Sequence, residues 1–367
     1  MITHLIKTKV NAAKNPNFLG YLHSFRGLAI LIIVLGHAVV AAFIGAYGAF
    51  DETAPILMVS EIFYHDSTLY FAIISGLLFS KVLKPKGYYR FYKNKLKHIV
   101  LPYLVVTLVL TLIKIKFYYV YGFQESIVFY FSNVIKNLIF GKANFALWYI
   151  PVLIFLYFVT PILEFLQKKN QLTKVLFFLI LVMPLIISRV QVLTEYVLSM
   201  ETMLYFMGAY AFGMYLGTDL DEKLQLIKKY KKIIAGIAII STAVLFYFYY
   251  NEIDMIGKVS LKESFFYIQK IGFALILLML FKRLDDNQPQ WLNPIATGSF
   301  FIYFIHASIL YAITPLFLFI LHATNFTPLN VVVAALILLL VTIGISMLFV
   351  QICNKLFGNY SRMIIGA

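Results

Sequence analysis

Charge is scarce in this sequence: 13% of its 367 residues are Asp, Glu, Lys or Arg, against 62% hydrophobic and 17% aromatic. A soluble domain carries about a quarter charged residues. A chain this size with so few cannot cover its own surface with polar groups, which excludes a soluble globule and a disordered chain alike. Cysteine is nearly absent, Cys353 being the only one, so a disulfide scaffold is excluded too. No apolar-poor stretch is long enough for an appended soluble domain. There is also no internal repeat of the kind from which duplicated transporter halves are built. Mean hydropathy is +0.86; the solvent for most of this protein is lipid.

Lipid leaves backbone polar groups no water, so only helices or a closed barrel can span it. The apolar runs are long and continuous rather than alternating, which predicts an all-α integral membrane protein of about ten transmembrane helices. They are expected at residues 27–47, 64–83, 99–120, 146–164, 175–190, 203–218, 233–250, 264–281, 298–321 and 329–352. The fifth and sixth are short, and each is open to being tilted or partly re-entrant. With both termini in the cytoplasm, the inner segments hold about three quarters of the 31 Lys/Arg and little more than a third of the 16 acids, the positive-inside asymmetry of a cytoplasmic-membrane protein. Topology thereby accounts for the net charge of +15, which is then no argument for a nucleic-acid partner. Residues 1–26, with Lys7, Lys9, Lys14 and Arg26, read as a basic cytoplasmic segment before a retained anchor rather than a cleaved leader. Residues 27–352 read as one membrane domain and 353–367 as a short cytoplasmic tail, the longest loops being about 121–145 outside and 81–98 inside.

Ionisable groups at membrane depth are costly and mark candidate sites. Arg26 opens the first span and His37 follows eleven residues later; at ~100° per residue the two share one helix face. His37 is then about 16 Å in, near the middle of a ~30 Å core. His306 lies about 12 Å along the ninth span, and Ser75 and Gly76 reach a similar depth from the second. His37, His306 and Ser75 are thus expected in one layer. Bland readings compete: a packed core histidine for His306, a snorkelling flank for Arg26, a close helix contact for Ser75-Gly76. Neutral imidazole suits a general base near neutrality, with Ser75 or Tyr303 as a candidate oxyanion donor. The inner loop below holds Lys81, Lys84, Lys86, Arg90, Lys93, Lys95, Lys97 and His98 and no acid. That patch suits a phosphate-bearing cofactor, and anionic lipid headgroups equally. Tyr118, Tyr119, Tyr121, Phe123, Phe129, Tyr130 and Phe131 read as an aromatic belt or a support for sugar rings. Asp51, Glu52, Glu61 and Asp66 read as solvated acids of the first outer loop.

Five segments, in order, resemble the membrane acyltransferase-3 family: Arg26-Gly27-Leu28-Ala29-Ile30 leading to His37; Ser75-Gly76-Leu77-Leu78-Phe79-Ser80; Tyr92 to Ile99 with Pro102 and Tyr103; Leu147-Trp148-Tyr149-Ile150 with Tyr157 and Pro161; and Ser299 to His306. The resemblance implies a ten-helix membrane O-acyltransferase. Such an enzyme moves an acyl group, usually acetyl, from cytoplasmic acyl-CoA to a hydroxyl of a glycan or glycolipid, with no metal. It implies His37 as the catalytic histidine, with Arg26 at the acyl-CoA entrance and Ser75, Tyr303 and His306 beside them. Arg26, Arg90, Lys93, Lys95 and His98 are the expected cofactor contacts, and Trp148 and Tyr149 the expected substrate contacts. The expected acceptor is a cell-surface polysaccharide or its lipid-linked precursor. The expected setting is the bacterial cytoplasmic membrane, with lipids and other polysaccharide-synthesis proteins as candidate partners. One departure stands out: members often carry two arginines, three apart, where this chain has Lys95 and His98, and a lysine is a point charge without arginine's two-pronged grip. The rival readings are an exporter or flippase using the histidines as a proton relay, and a structural membrane subunit.

Overall fold

The computed structural model describes residues 19–51, 53–118, 127–168, 170–189, 198–284, 287–321 and 327–366. Lys7, Lys9, Lys14, Glu52, Tyr119, Tyr121 and Phe123 lie outside the described residues. The first helix, α1 (Gly20–Tyr47), ends at Gly48 with φ 80°, the left-handed stop that glycine adopts without strain. The second span is two helices, α2 (Pro55–Tyr64) and α3 (Thr68–Leu78), parted by His65-Asp66-Ser67. Next come α4 (Tyr88–Lys95), which runs through Leu96–Val100 into α5 (Leu101–Tyr118), then α6 (Ile127–Phe140) and α7 (Tyr149–Lys168). The middle of the chain forms α8 (Gln171–Val182), α9 (Met200–Gly217), α10 (Leu220–Lys229) and α11 (Lys231–Tyr250). A short hairpin, β1 (Met255–Ile256) with β2 (Val259–Ser260), precedes α12 (Leu261–Leu284). The chain closes with α13 (Leu292–Thr297), α14 (Ser299–Leu321), α15 (Pro328–Phe357) and α16 (Ser361–Ile364).

Among the described residues, eight helices are long and apolar enough to cross a membrane. The two expected spans that are not among them are the short fifth and sixth. Helix α8 has 12 residues, which reach about 18 Å of a ~30 Å core. Helix α9 is an inner element, packed hard on α3. A Cβ at Gly76 would stand 2.1 Å from the Tyr210 carbonyl oxygen, and one at Gly213 2.1 Å from that of Ile73. Those two hydrogens in place of side chains are what let the backbones touch. One further expectation needs correcting. The outer loop at 121–145 contains the apolar helix α6, fastened to α5 by Tyr130 Oη donating to Leu108 O at 2.9 Å and by Asn137 Nδ2 donating to Thr111 Oγ1 at 2.9 Å. The tail at 353–367 folds back, with Ile365 buried against Phe301 and Val350.

Candidate functional site

The site begins where the second span breaks. Asp66 sits at φ 56°, a left-handed conformation that non-glycine residues adopt only when surroundings hold them there. Side chains from three segments, α9, α12 and the stretch ending at Arg189, surround it. Arg189 grips the carboxylate with both prongs, Nη1 donating to Oδ1 at 3.0 Å and Nη2 to Oδ2 at 2.7 Å. Tyr205 of α9 donates its hydroxyl to Oδ2 at 2.9 Å. Glu263 of α12 accepts the Arg189 backbone N–H at 2.6 Å and lies 3.0 Å from its Nε. Lys270, wholly buried on α12, donates to the Phe63 carbonyl at 2.8 Å, a cation at the C-terminal end of α2. His65 completes the cluster with Nδ1 2.8 Å from Glu61. Asp66 is therefore no solvated loop acid: it is buried and bound.

A cleft opens against this break. His37, Ile33 and Gly36 of α1, Tyr64 to Thr68, Ala146, Trp148, Arg189 and Tyr303 line it. Trp148 is delivered by a turn that needs glycine: Gly141 has φ 67°, and a Cβ there would meet the Trp148 Cα at 2.5 Å. His306 stacks on His37 with ring centroids 5.3 Å apart. His306 Nδ1 lies 2.9 Å from the Tyr303 carbonyl and 3.1 Å from that of Ile302. Two acceptors there require Nδ1 to carry the hydrogen, which leaves Nε2 a bare lone pair. That nitrogen is buried with no hydrogen-bond partner.

From the histidines a file of polar side chains leads to the Lys-rich end. Tyr303 is 5.7 Å from His306 between ring centroids, and Tyr149 is 6.1 Å from Tyr303. Tyr157 follows Tyr149 two turns further along α7 and has Ser75 and Arg26 close by. The Tyr149 hydroxyl and Arg26 Nε are buried without partners, an expensive state for polar atoms unless something else supplies the bonds. At the end of the file Arg26 donates to Ala296 O at 2.7 Å, at the end of α13. Lys95 lies 4.2 Å over the Tyr157 ring and interacts electrostatically with Arg26. Arg362 of α16 interacts with Arg26, His23 and His98. No carboxylate pairs with Arg26, Lys95 or Arg362 among the described residues.

Placed on this frame, His37, His306, Tyr303 and Trp148 come together at the cleft. Arg26, Lys95 and His98 come together at the basic end. Ser75 does not reach the histidines. It lies against Tyr157, seven residues and ~10 Å along α3 from the cleft wall at Thr68, because the break at Asp66 presents Ser67 and Thr68 to His37 instead. Tyr149 is 2% exposed and belongs to the buried file, not to the cleft lining. The Tyr303 hydroxyl donates to the Ala146 carbonyl, which commits its one hydrogen. Arg90 is exposed, and Lys93 lies over the ring of Tyr89, at 5.5 Å. Asp66, His65, Arg189, Glu263, Lys270 and Arg362 went unread as site residues in sequence. A polar triplet interrupting an apolar run was the one local signal, at His65-Asp66-Ser67.

A family profile described as an acyltransferase domain matches residues 19–351. Neither a curated protein nor a solved structure matches the chain.

Proposed function

This chain belongs to the membrane acyltransferase-3 family, and we propose that it carries an acyl group, acetyl foremost, from acyl-CoA at the basic end to a hydroxyl of a cell-surface polysaccharide or its lipid-linked precursor in the His37 cleft. The observation that carries the reading is the polar file between the His37 cleft and Arg26, Lys95 and Arg362, three cations that no carboxylate pairs among the described residues, although Asp221 and Glu164 pair with the neighbouring Lys81 and Lys84. The positive-inside rule assigns the basic end to the cytoplasm, which suits a bacterial cytoplasmic membrane and a CoA donor. Arg26, Lys95, His98 and Arg362 would meet the CoA phosphates, and the unpartnered Tyr149 hydroxyl and Arg26 Nε would meet the amides and carbonyls of its arm. Clustered cations without acids repel one another, so a polyanion relieves them.

The chemistry follows from the placement. His37 takes the proton of the acceptor hydroxyl as its oxygen attacks the thioester carbon. The new C–O ester bond forms, the C–S bond breaks, and the proton passes to the leaving thiolate, so CoA departs as the thiol. His306 holds the His37 ring by stacking, and Tyr303, its hydroxyl given to the Ala146 carbonyl, fixes the Ala146–Trp148 turn.

The test compares cells producing the parent chain with cells producing a normally inserted His37→Ala chain. Loss of ester-linked acyl groups from the surface glycan is the expected result. Unchanged acylation removes the mechanism, and loss of glycan export with esters intact favours the transport reading.

A further inference from the structure

Part of the cleft lining is built from charge that the acyl-transfer steps do not use. Asp66 is 9% and Arg189 4% exposed, yet both line the cleft. Their hydrogen-bonding capacity can be counted. An ionised carboxylate offers about four acceptor sites. Arg189 occupies one on each oxygen and Tyr205 a second on Oδ2. One site remains on Oδ1, from which His65 Nε2 stands 3.7 Å away. A guanidinium has about five N–H donors; two go to Asp66 and Nε faces Glu263. One N–H on each terminal nitrogen is left. Thr68, 8% exposed on the same wall, adds a hydroxyl.

Such a wall offers an acceptor and donors side by side, with the Asp66 and Arg189 charges cancelling. A hydroxyl, which donates and accepts, satisfies it. A carboxylate or phosphate would face Asp66, and an ammonium would face Arg189. Trp148, in the same lining, supplies a flat apolar ring of the kind that covers the C–H face of a sugar. The wall is also stiff, because Asp66 is fastened at a strained φ by Tyr205 of α9 and by Arg189, which Glu263 of α12 holds in turn. A rigid polar edge reads ligand geometry better than a mobile one.

We infer that Asp66, Arg189 and Thr68 are the recognition edge for the acceptor, gripping an uncharged sugar unit by hydroxyls next to the one turned toward His37, with Trp148 against its ring. Only the choice of which hydroxyl faces His37 rests on the acyl-transfer reading; the binding itself does not.

The experiment uses the full chain in phospholipid nanodiscs. It holds two tryptophans, and Trp291 is exposed beyond the end of α12, so Trp291→Phe leaves Trp148 as a reporter inside the cleft. Its fluorescence is titrated with a panel of neutral methyl hexosides and with the corresponding uronates. The expected result is saturable quenching or enhancement by at least one neutral glycoside and none by its uronate. Thr68→Val, which disturbs no ion pair, should weaken that binding at least tenfold, as should Asp66→Asn. Thermal stabilisation by CoA should be the same in parent and variants. No response to any neutral glycoside, equal binding of uronates, or parent-like binding by Thr68→Val would each overturn the inference. Glycosides that bind as described but are never acylated leave the recognition edge standing and remove the acyltransferase reading instead.

Discussion

Replacing Arg26 by glutamine separates a guanidinium kept for a ligand from one kept for the fold. Without ligand, the variant loses the bond to Ala296 O at 2.7 Å, worth roughly 1.5–3 kcal/mol for a charged donor. Against that, it relieves the desolvation of a buried charge and the repulsion from Lys95 and Arg362. Two like charges ~10 Å apart repel by about 1.7 kcal/mol at an effective dielectric of ~20. The two sides nearly cancel, so ligand-free stability should change by about 1 kcal/mol or less. Ligand binding has no such compensation. One charge-assisted bond lost from a phosphate lowers affinity roughly 10- to 150-fold. At a CoA concentration ~100 times the parent Kd, the parent gains about 2.7 kcal/mol, whereas a variant weakened ~100-fold gains about 0.4 kcal/mol. Thermal unfolding in nanodiscs with and without CoA reads both numbers. A variant that melts many degrees lower without CoA and is still stabilised by it as the parent is would refute the reasoning.

Arg189→Ala leaves Asp66 and Glu263 buried without their cation and should cost about 3–5 kcal/mol. Lys168→Ala breaks the exposed 2.7 Å pair with Glu164 and should cost ~1 kcal/mol or less; equal losses in thermal unfolding would contradict the buried clamp. Tyr149→Phe deletes an unpartnered hydroxyl, so it should leave stability unchanged within ~1 kcal/mol while lowering the acyl-transfer rate, and a fall in stability with full activity would argue the reverse. Arg362→Gln should raise the KM for acyl-CoA about tenfold with kcat held, and increasing salt should narrow the gap from the parent; steady-state kinetics at two ionic strengths decides it.

What was legible in the sequence obeys local rules. Helical spacing and rise placed His37 beside His306, and length with hydropathy found the eight long helices. Trp148 came from the family resemblance, and it stands in the cleft. What stayed hidden depends on pairing across the chain. Asp66 meets Arg189 at a separation of 123 residues, and Arg189 meets Glu263 at 74. No periodicity carries that, so Asp66 looked like a loop acid beside Asp51 and Glu61. The break it creates also shifted the part of the second span that faces His37, which is why Ser75 was placed one layer too high. Arg362 lies beyond the last long helix and becomes part of the cationic mouth only because the tail folds back. Helix α6 was missed because an apolar helix of 14 residues is too short to read as a span and too apolar for an ordinary loop.

On the proposed route an acyl group enters at the cationic end and leaves on an acceptor in the His37 cleft, at the other end of the tyrosine file. Sealed proteoliposomes with the chain in one known orientation test it: acyl-labelled acetyl-CoA is supplied only on the side of the Lys81–His98 loop, and a surface-glycan acceptor only on the other. Labelled ester on the acceptor across the membrane, abolished by His37→Ala, is the expected result. Label that reaches the acceptor only when both substrates share one side, or that persists without His37, would contradict it.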